Sequence, residues 1–215
     1  MSNETETIYD FVIIGSGLGG LASAYILASE GYKVIVLEKN HQIGGHLQVY
    51  SRDKVIFDTG VHYIGSMNDG ENLNQFFKYF GILNDLKLHR MEEESFDKIR
   101  FSDGSCYDYP QGYDRFIEKM TGYFPEEKEA IISYCNKIQE VCAHFPLYNL
   151  RLDGASYHLN QELLTLNAYD YIAELTDNIR LRNVLAGSNM LYVGYKETTP
   201  FYVHALIINS YLKGS

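Results

Sequence analysis

Asp10-Phe11-Val12-Ile13-Ile14-Gly15-Ser16-Gly17-Leu18-Gly19-Gly20 is the stretch that decides the fold. A short, nearly continuous apolar run with β-branched residues ends on glycine, the pattern of a strand buried on both faces of a parallel sheet. Leu18, Leu21, Ala22, Tyr25 and Ala28 then recur at helical spacing, and Gly31 sits where a helix C-terminal cap belongs. A second buried run, Lys33-Val34-Ile35-Val36-Leu37, ends at Glu38. Strand, helix and strand make one βαβ unit of a Rossmann-type α/β fold.

The residue types at this spacing suit a dinucleotide. Gly15 permits the tight turn out of the strand, Gly17 lets a pyrophosphate approach the backbone, and Gly20 lets the helix pack close to the sheet. Together with Ser16, Leu18 and Gly19 they form the candidate phosphate loop, backed by the free N–H groups and positive dipole end of the helix. Glu38 lies 18 residues beyond Gly20. There a carboxylate accepts hydrogen bonds from a ribose diol and repels a 2′-phosphate. The competing reading is a glycine-rich turn that binds nothing, with Glu38 a solvated strand end. The strand before the motif, the helix after it and the acid at the right distance favour the cofactor.

Outward from Glu38 the chain reads Lys39-Asn40-His41-Gln42-Ile43-Gly44-Gly45-His46. A second glycine pair so soon after the ribose acid is not needed for NAD. It resembles the extended motif of the FAD-containing superfamily that includes amine oxidases and carotenoid desaturases. Val49 to Phe57 alternates around a turn at Arg52-Asp53 and reads as a hairpin. It runs into Asp58-Thr59-Gly60-Val61-His62-Tyr63-Ile64-Gly65. With the preceding glycine turn, this string resembles the retinol saturase and carotenoid isomerase branch of the phytoene-desaturase-like flavoproteins, over residues 8–66 above all.

The resemblance implies a Rossmann-type FAD domain, a substrate domain over an apolar tunnel, and flavin-mediated hydride chemistry on a conjugated polyene lipid. It also implies cofactor contacts at Lys39, Gly44, Gly45, His46, Gly60 and His62. His62 has the alternative of a histidine packed in a polar turn. His46 departs from the arginine that many carotenoid desaturases carry beside the glycine pair. Asp58 reads equally as a cofactor contact or a turn cap. No catalytic residue is assigned.

Composition sets the outer limits. The chain has 215 residues, 46% hydrophobic and 21% charged, which excludes a disordered tail or a fibre. A net charge of -10 disfavours nucleic acid and charge-held anionic membranes. No apolar run reaches the length of a bilayer span, and the first residues, Met1 to Thr7, carry no secretory pattern. Cys106, Cys135 and Cys142 lack metal or redox spacing and read as reduced thiols, so no metal site is expected and the expected compartment is cytoplasmic, with peripheral contact to a membrane allowed.

The chain divides into residues 1–66, the FAD-binding segment, and residues 67–215, a mostly helical α+β portion of a substrate domain. In the latter, Leu73 to Phe80 reads as a helix stopped by Gly81, and Ile99 to Tyr109 as a hairpin closed at Asp103-Gly104. Tyr113–Tyr123, Pro125–His144, Tyr169–Glu174 and Asn178–Ala186 read as helices. Pro200 to Leu212 is apolar nearly all round, a core helix or a tunnel wall.

One βαβ unit with a hairpin only begins a doubly wound domain. The expectation is therefore the N-terminal part of a longer flavoprotein, catalytically incomplete alone, with a homodimer as one way to cover its exposed surface. The alternatives are another enzyme of the flavin amine-oxidase superfamily, or a non-catalytic lipid binder on a GDP-dissociation-inhibitor-like scaffold.

Overall fold

The computed structural model describes residues 7–151 and 161–214; most of the segment Met1 to Thr7 read above for a leader therefore lies outside the described residues. The chain forms two compact units, residues 1–63 and residues 64–215.

The first unit begins with β1 (Phe11–Ile14), α1 (Leu18–Ser29) and β2 (Val34–Leu37). β1 and β2 pair in parallel, Phe11 opposite Val34 through Ile14 opposite Leu37, so the crossover unit expected from the sequence is present. α1 ends at Gly31, whose φ of +90° closes the turn, with the Tyr32 N–H bonding back to the Leu27 carbonyl. After a 3-10 turn at Gly45–Leu47 come β3 (Val49–Arg52) and β4 (Val55–Asp58), an antiparallel pair.

Two expectations need correction here. The hairpin turns at Asp53-Lys54, one residue later than the sequence suggested. Both residues have positive φ, +52° and +65°, the backbone that a two-residue turn needs to follow the strand twist. The strands are also not buried. Val12 is 59% exposed, Ile14 88% and Ile56 70%, and α1 has no buried residue. Among the described residues this sheet has two strands, with α1 beside it, too few elements to cover both faces of the apolar pattern.

The second unit holds the core. α2 (Asn72–Tyr79) is followed by β5 (Asp97–Arg100) and β6 (Cys106–Tyr109), an antiparallel hairpin closed through Asp103 and Gly104. Arg180 pairs with Asp103 and stacks its guanidinium 4.2 Å over the Phe101 ring. α3 (Tyr113–Tyr123), α4 (Lys128–Ala143), α5 (Gln161–Thr165), α6 (Ala168–Leu175), α7 (Ile179–Leu185) and α8 (Phe201–Lys213) complete it. Asn167 and Asn178 cap α6 and α7 through their side chains.

α4 and α8 form the central pair. Ile131, Tyr134, Cys135, Ile138 and Val141 on α4 are fully buried, as are Phe201 and Ala205 on α8, with Phe116 and Met120 of α3 beside them. α8 is thus a core helix, with the polar His204 and Asn209 buried among its apolar residues. Burial pushes the thiols of Cys135 and Cys142 up to about 12, which makes both structural. No helix among the described residues is long and apolar enough to cross a membrane.

Candidate functional site

The dinucleotide candidates all fall in the first unit. Gly15 leaves β1 with φ +96°, and its N–H bonds the Leu37 carbonyl at 2.7 Å, which anchors the loop to the end of β2. Gly17 caps α1 without a side-chain hydrogen bond, and the first turn carries no acid. The first helical bond runs from the Leu21 N–H to the Gly17 carbonyl. The N–H groups of Leu18, Gly19 and Gly20 precede it and have no partner within the helix, the kind of donors that can hold an anion.

The glycines of the loop have two different reasons for being glycine. A Cβ on Gly20 would stand 2.1 Å from the Gly15 carbonyl oxygen, so this position closes the turn. A Cβ on Gly17 or Gly19 would meet nothing within 4 Å, so those positions leave open space in front of the loop. That is the arrangement that lets a phosphate reach the backbone, and the residues fit a dinucleotide.

Glu38 stands at the end of β2. Its Oε2 accepts from the Ser16 N–H at 2.9 Å and from the Ser16 hydroxyl at 2.6 Å, and its Oε1 accepts from the Asn40 N–H at 2.9 Å. The Ser16 hydroxyl first, then these N–H groups, hold its carboxyl down to about 2. Oε2 carries both Ser16 bonds, so Oε1 is the oxygen with more room for a further hydroxyl donor.

Ser16 has a larger part than the sequence suggested. It is 1% exposed, and its hydroxyl also accepts from the Gly44 N–H at 3.2 Å, while its carbonyl accepts from the same N–H at 3.0 Å. One side chain therefore ties the phosphate loop, the ribose acid and the second glycine turn. Gly44 and Gly45 have φ +108° and +57°, and a Cβ on Gly45 would stand 3.0 Å from the Gly17 Cα, so this turn lies directly on the loop. His46 packs against Gly60, where a Cβ would meet the His46 Cβ at 3.2 Å and its Nδ1 at 3.4 Å. Lys39 and His62 are exposed. Among the described residues no cluster of three or more His, Cys, Asp or Glu is placed to hold a metal.

Residues 13–80 match the NAD(P)-binding Rossmann-like domain family. The all-trans-retinol 13,14-reductase of Danio rerio is 28% identical over 96% of this chain and 36% of its own length. The Macaca fascicularis protein of the same name is 30% identical over 96% of this chain and 36% of its own. The chloroplastic prolycopene isomerase of Arabidopsis thaliana is 33% identical over 76% of this chain and 29% of its own.

The chain is a relative of the retinol reductases and prolycopene isomerases. It spans about a third of their length. Among solved structures, an engineered putrescine oxidase superposes with a TM-score of 0.59 at 17% identity, covering 92% of this chain and 40% of that one. A conjugated-linoleic-acid-producing fatty acid isomerase from P. acnes does so with a TM-score of 0.58 at 16% identity, covering 95% of this chain and 42% of that one. These likenesses carry the fold. The fold class expected from the glycine loop is therefore the observed one, an α/β chain that opens with a Rossmann-like dinucleotide-binding unit.

Proposed function

We propose that this chain is the cofactor-binding front and part of the substrate region of an FAD-dependent oxidoreductase acting on a conjugated polyene lipid. The observation that carries the reading is the Ser16 clamp, which joins the phosphate loop, Glu38 and Gly44-Gly45 into one site. A glycine turn built onto the loop is not needed for NAD. The names of the relatives, a retinol reductase and a prolycopene isomerase, support a polyene as substrate and the reduction or isomerisation of a double bond as the reaction.

In this reading the N–H groups of Leu18, Gly19 and Gly20 hold the pyrophosphate, and Glu38 accepts from the adenosine ribose. Gly44 and Gly45 keep the backbone low beside the cofactor, with Lys39, His46, Gly60 and His62 around them. When bound, the flavin supplies the hydride chemistry, and the residues of this chain bind and orient it.

The test is retention of FAD. The purified chain is mixed with FAD and passed through gel filtration, and flavin absorbance is read in the protein peak, with and without excess NAD. Retained flavin that NAD does not displace, and that Glu38→Ala reduces about tenfold or more, supports the proposal. Preferential retention of NAD, or of neither dinucleotide, overturns it.

A further inference from the structure

One concave feature of the second unit has no part in the dinucleotide reading, and its lining runs from Ala168 to His204. α6, α7 and the start of α8 form its walls, and the loop 193–199 closes over it. That loop is pinned at several points. The Ala168 N–H bonds the Thr199 carbonyl at 2.9 Å, and the Asn167 amide bonds the Lys196 carbonyl at 3.0 Å. The Tyr195 N–H bonds the Thr199 hydroxyl at 2.7 Å. The cavity measures about 190 Å³. A cavity of roughly 150 Å³ takes a benzene ring.

His204 and Tyr192 are among its polar lining residues. His204 is fully buried, with Nε2 2.6 Å from the Tyr134 hydroxyl and Nδ1 2.7 Å from the Tyr192 hydroxyl. Two arrangements satisfy this chain. In one, Tyr192 donates to Nδ1, Nε2–H donates to Tyr134, and Tyr134 donates to the Leu185 carbonyl at 3.4 Å. In the other, Tyr134 donates to Nε2 and Nδ1–H donates to Tyr192, whose own O–H is then free. Tyr192 therefore presents the cavity with an acceptor or a donor, according to the tautomer of a buried histidine.

The placement of Tyr192 is built in. Val193 sits at φ +52°, a left-handed conformation that a β-branched side chain rarely adopts. A Cβ on Gly194 would stand 2.7 Å from the Tyr192 ring, so only glycine lets the ring lie where it does. Ala168 and Ile172 are buried apolar parts of the wall with Ala186 beside them, while Asn183, Asn189 and Arg182, whose guanidinium is held by the Thr176 and Ala173 carbonyls and by Asp177, add polar surface. At the rim the Lys196 ammonium lies 4.2 Å over the Tyr169 ring. It makes no ion pair among the described residues.

We propose that this cavity binds a small amphipathic carboxylate. Its apolar body packs on Ile172, Ala168 and the Tyr169 ring, and its carboxylate meets Lys196 at the rim. The Tyr192 hydroxyl supplies the polar contact inside. An apolar pocket with a few convergent polar groups is the usual form of such a site. The unpaired cation at the mouth selects the charge of the ligand.

The test is titration of the ¹⁵N-labelled full chain with benzoate and with benzyl alcohol, read by amide chemical shifts. Benzoate should give saturable shifts at residues 168–204 and bind about tenfold more tightly than the alcohol. Lys196→Gln, a change at an exposed position, should remove that preference and leave the alcohol unaffected. Tyr192→Phe should weaken both probes. Benzoate that fails to saturate, shifts that fall outside the cavity, or equal benzoate affinity in Lys196→Gln overturns the proposal.

Discussion

The hydroxyl of Ser16 stands 2.6 Å from Oε2 of Glu38, across 22 residues of chain. The donor belongs to the glycine loop and the acceptor to the end of β2, so together with the Ser16 N–H bond this contact fixes the spacing between the proposed pyrophosphate and ribose positions. A hydrogen bond to a carboxylate is among the stronger kinds, and its loss has a direct readout. In Ser16→Ala the Glu38 carboxyl should titrate well above the value of about 2 to which it is held. Carboxyl ¹³C shifts followed against pH measure it. An unchanged titration would mean that Asn40 and the backbone suffice to hold Glu38.

The two glycines that flank α1's first turn should separate structure from binding. Gly20→Ala forces the turn apart, because its Cβ has no room beside the Gly15 carbonyl, and should cost about 1–3 kcal/mol. Gly17→Ala has space and an ordinary φ of -67°, and should change stability by less than about 1 kcal/mol. It should nonetheless weaken FAD retention, since the added methyl occupies the approach to the backbone. Urea unfolding, followed at the amides of Val12 and Ile35, with flavin absorbance in parallel, reads both.

Acid should destabilise the second unit through His204. Burial pulls its pKa down from 6.5 to about 4, so the unfolded chain takes up a proton between these values and the folded chain does not. Stability is therefore full above about pH 6.5 and falls as pH drops toward 4, by roughly 3 kcal/mol in all. Urea midpoints measured across this range should show that slope. A His204→Phe variant should lose it, although it starts less stable because Tyr134 and Tyr192 lose a partner.

The cysteines should react in a fixed order. Cys106 is only partly buried, whereas Cys135 and Cys142 lie in the core with thiols pushed up to about 12. Iodoacetamide at neutral pH should label Cys106 alone in the native chain and all three thiols in denaturant. Mass spectrometry of timed samples checks this. Early labelling of Cys135 or Cys142 would contradict their packing.

Much of the fold was legible where a local signal coincided with a tertiary role. Tyr113–Tyr123 forms a helix with the bounds read from its periodicity, and the parallel pairing of β1 with β2 followed from one glycine motif. The hairpin slipped by a residue because Asp53-Lys54 takes positive φ without glycine or asparagine to announce it. Burial was misjudged at Val12 and Ile14, since an apolar pattern states what a strand needs and not whether a second layer is there. At the site, the glycines and Glu38 were visible as types and spacing. The Ser16 clamp was not, because its partners Glu38 and Gly44 lie 22 and 28 residues away. The buried histidine was also hidden, since a helix apolar nearly all round gives no sign that Tyr134 and Tyr192 will satisfy one polar member.

The bare strands of the first unit have a consequence for its lifetime. With little apolar surface buried, that unit opens at low free energy, and its amides should exchange with solvent far sooner than those of α4 and α8. A dinucleotide that binds only the closed form stabilises it in proportion to the logarithm of its concentration. Amide exchange of β1 and β2 should therefore slow as the concentration of a bound dinucleotide rises.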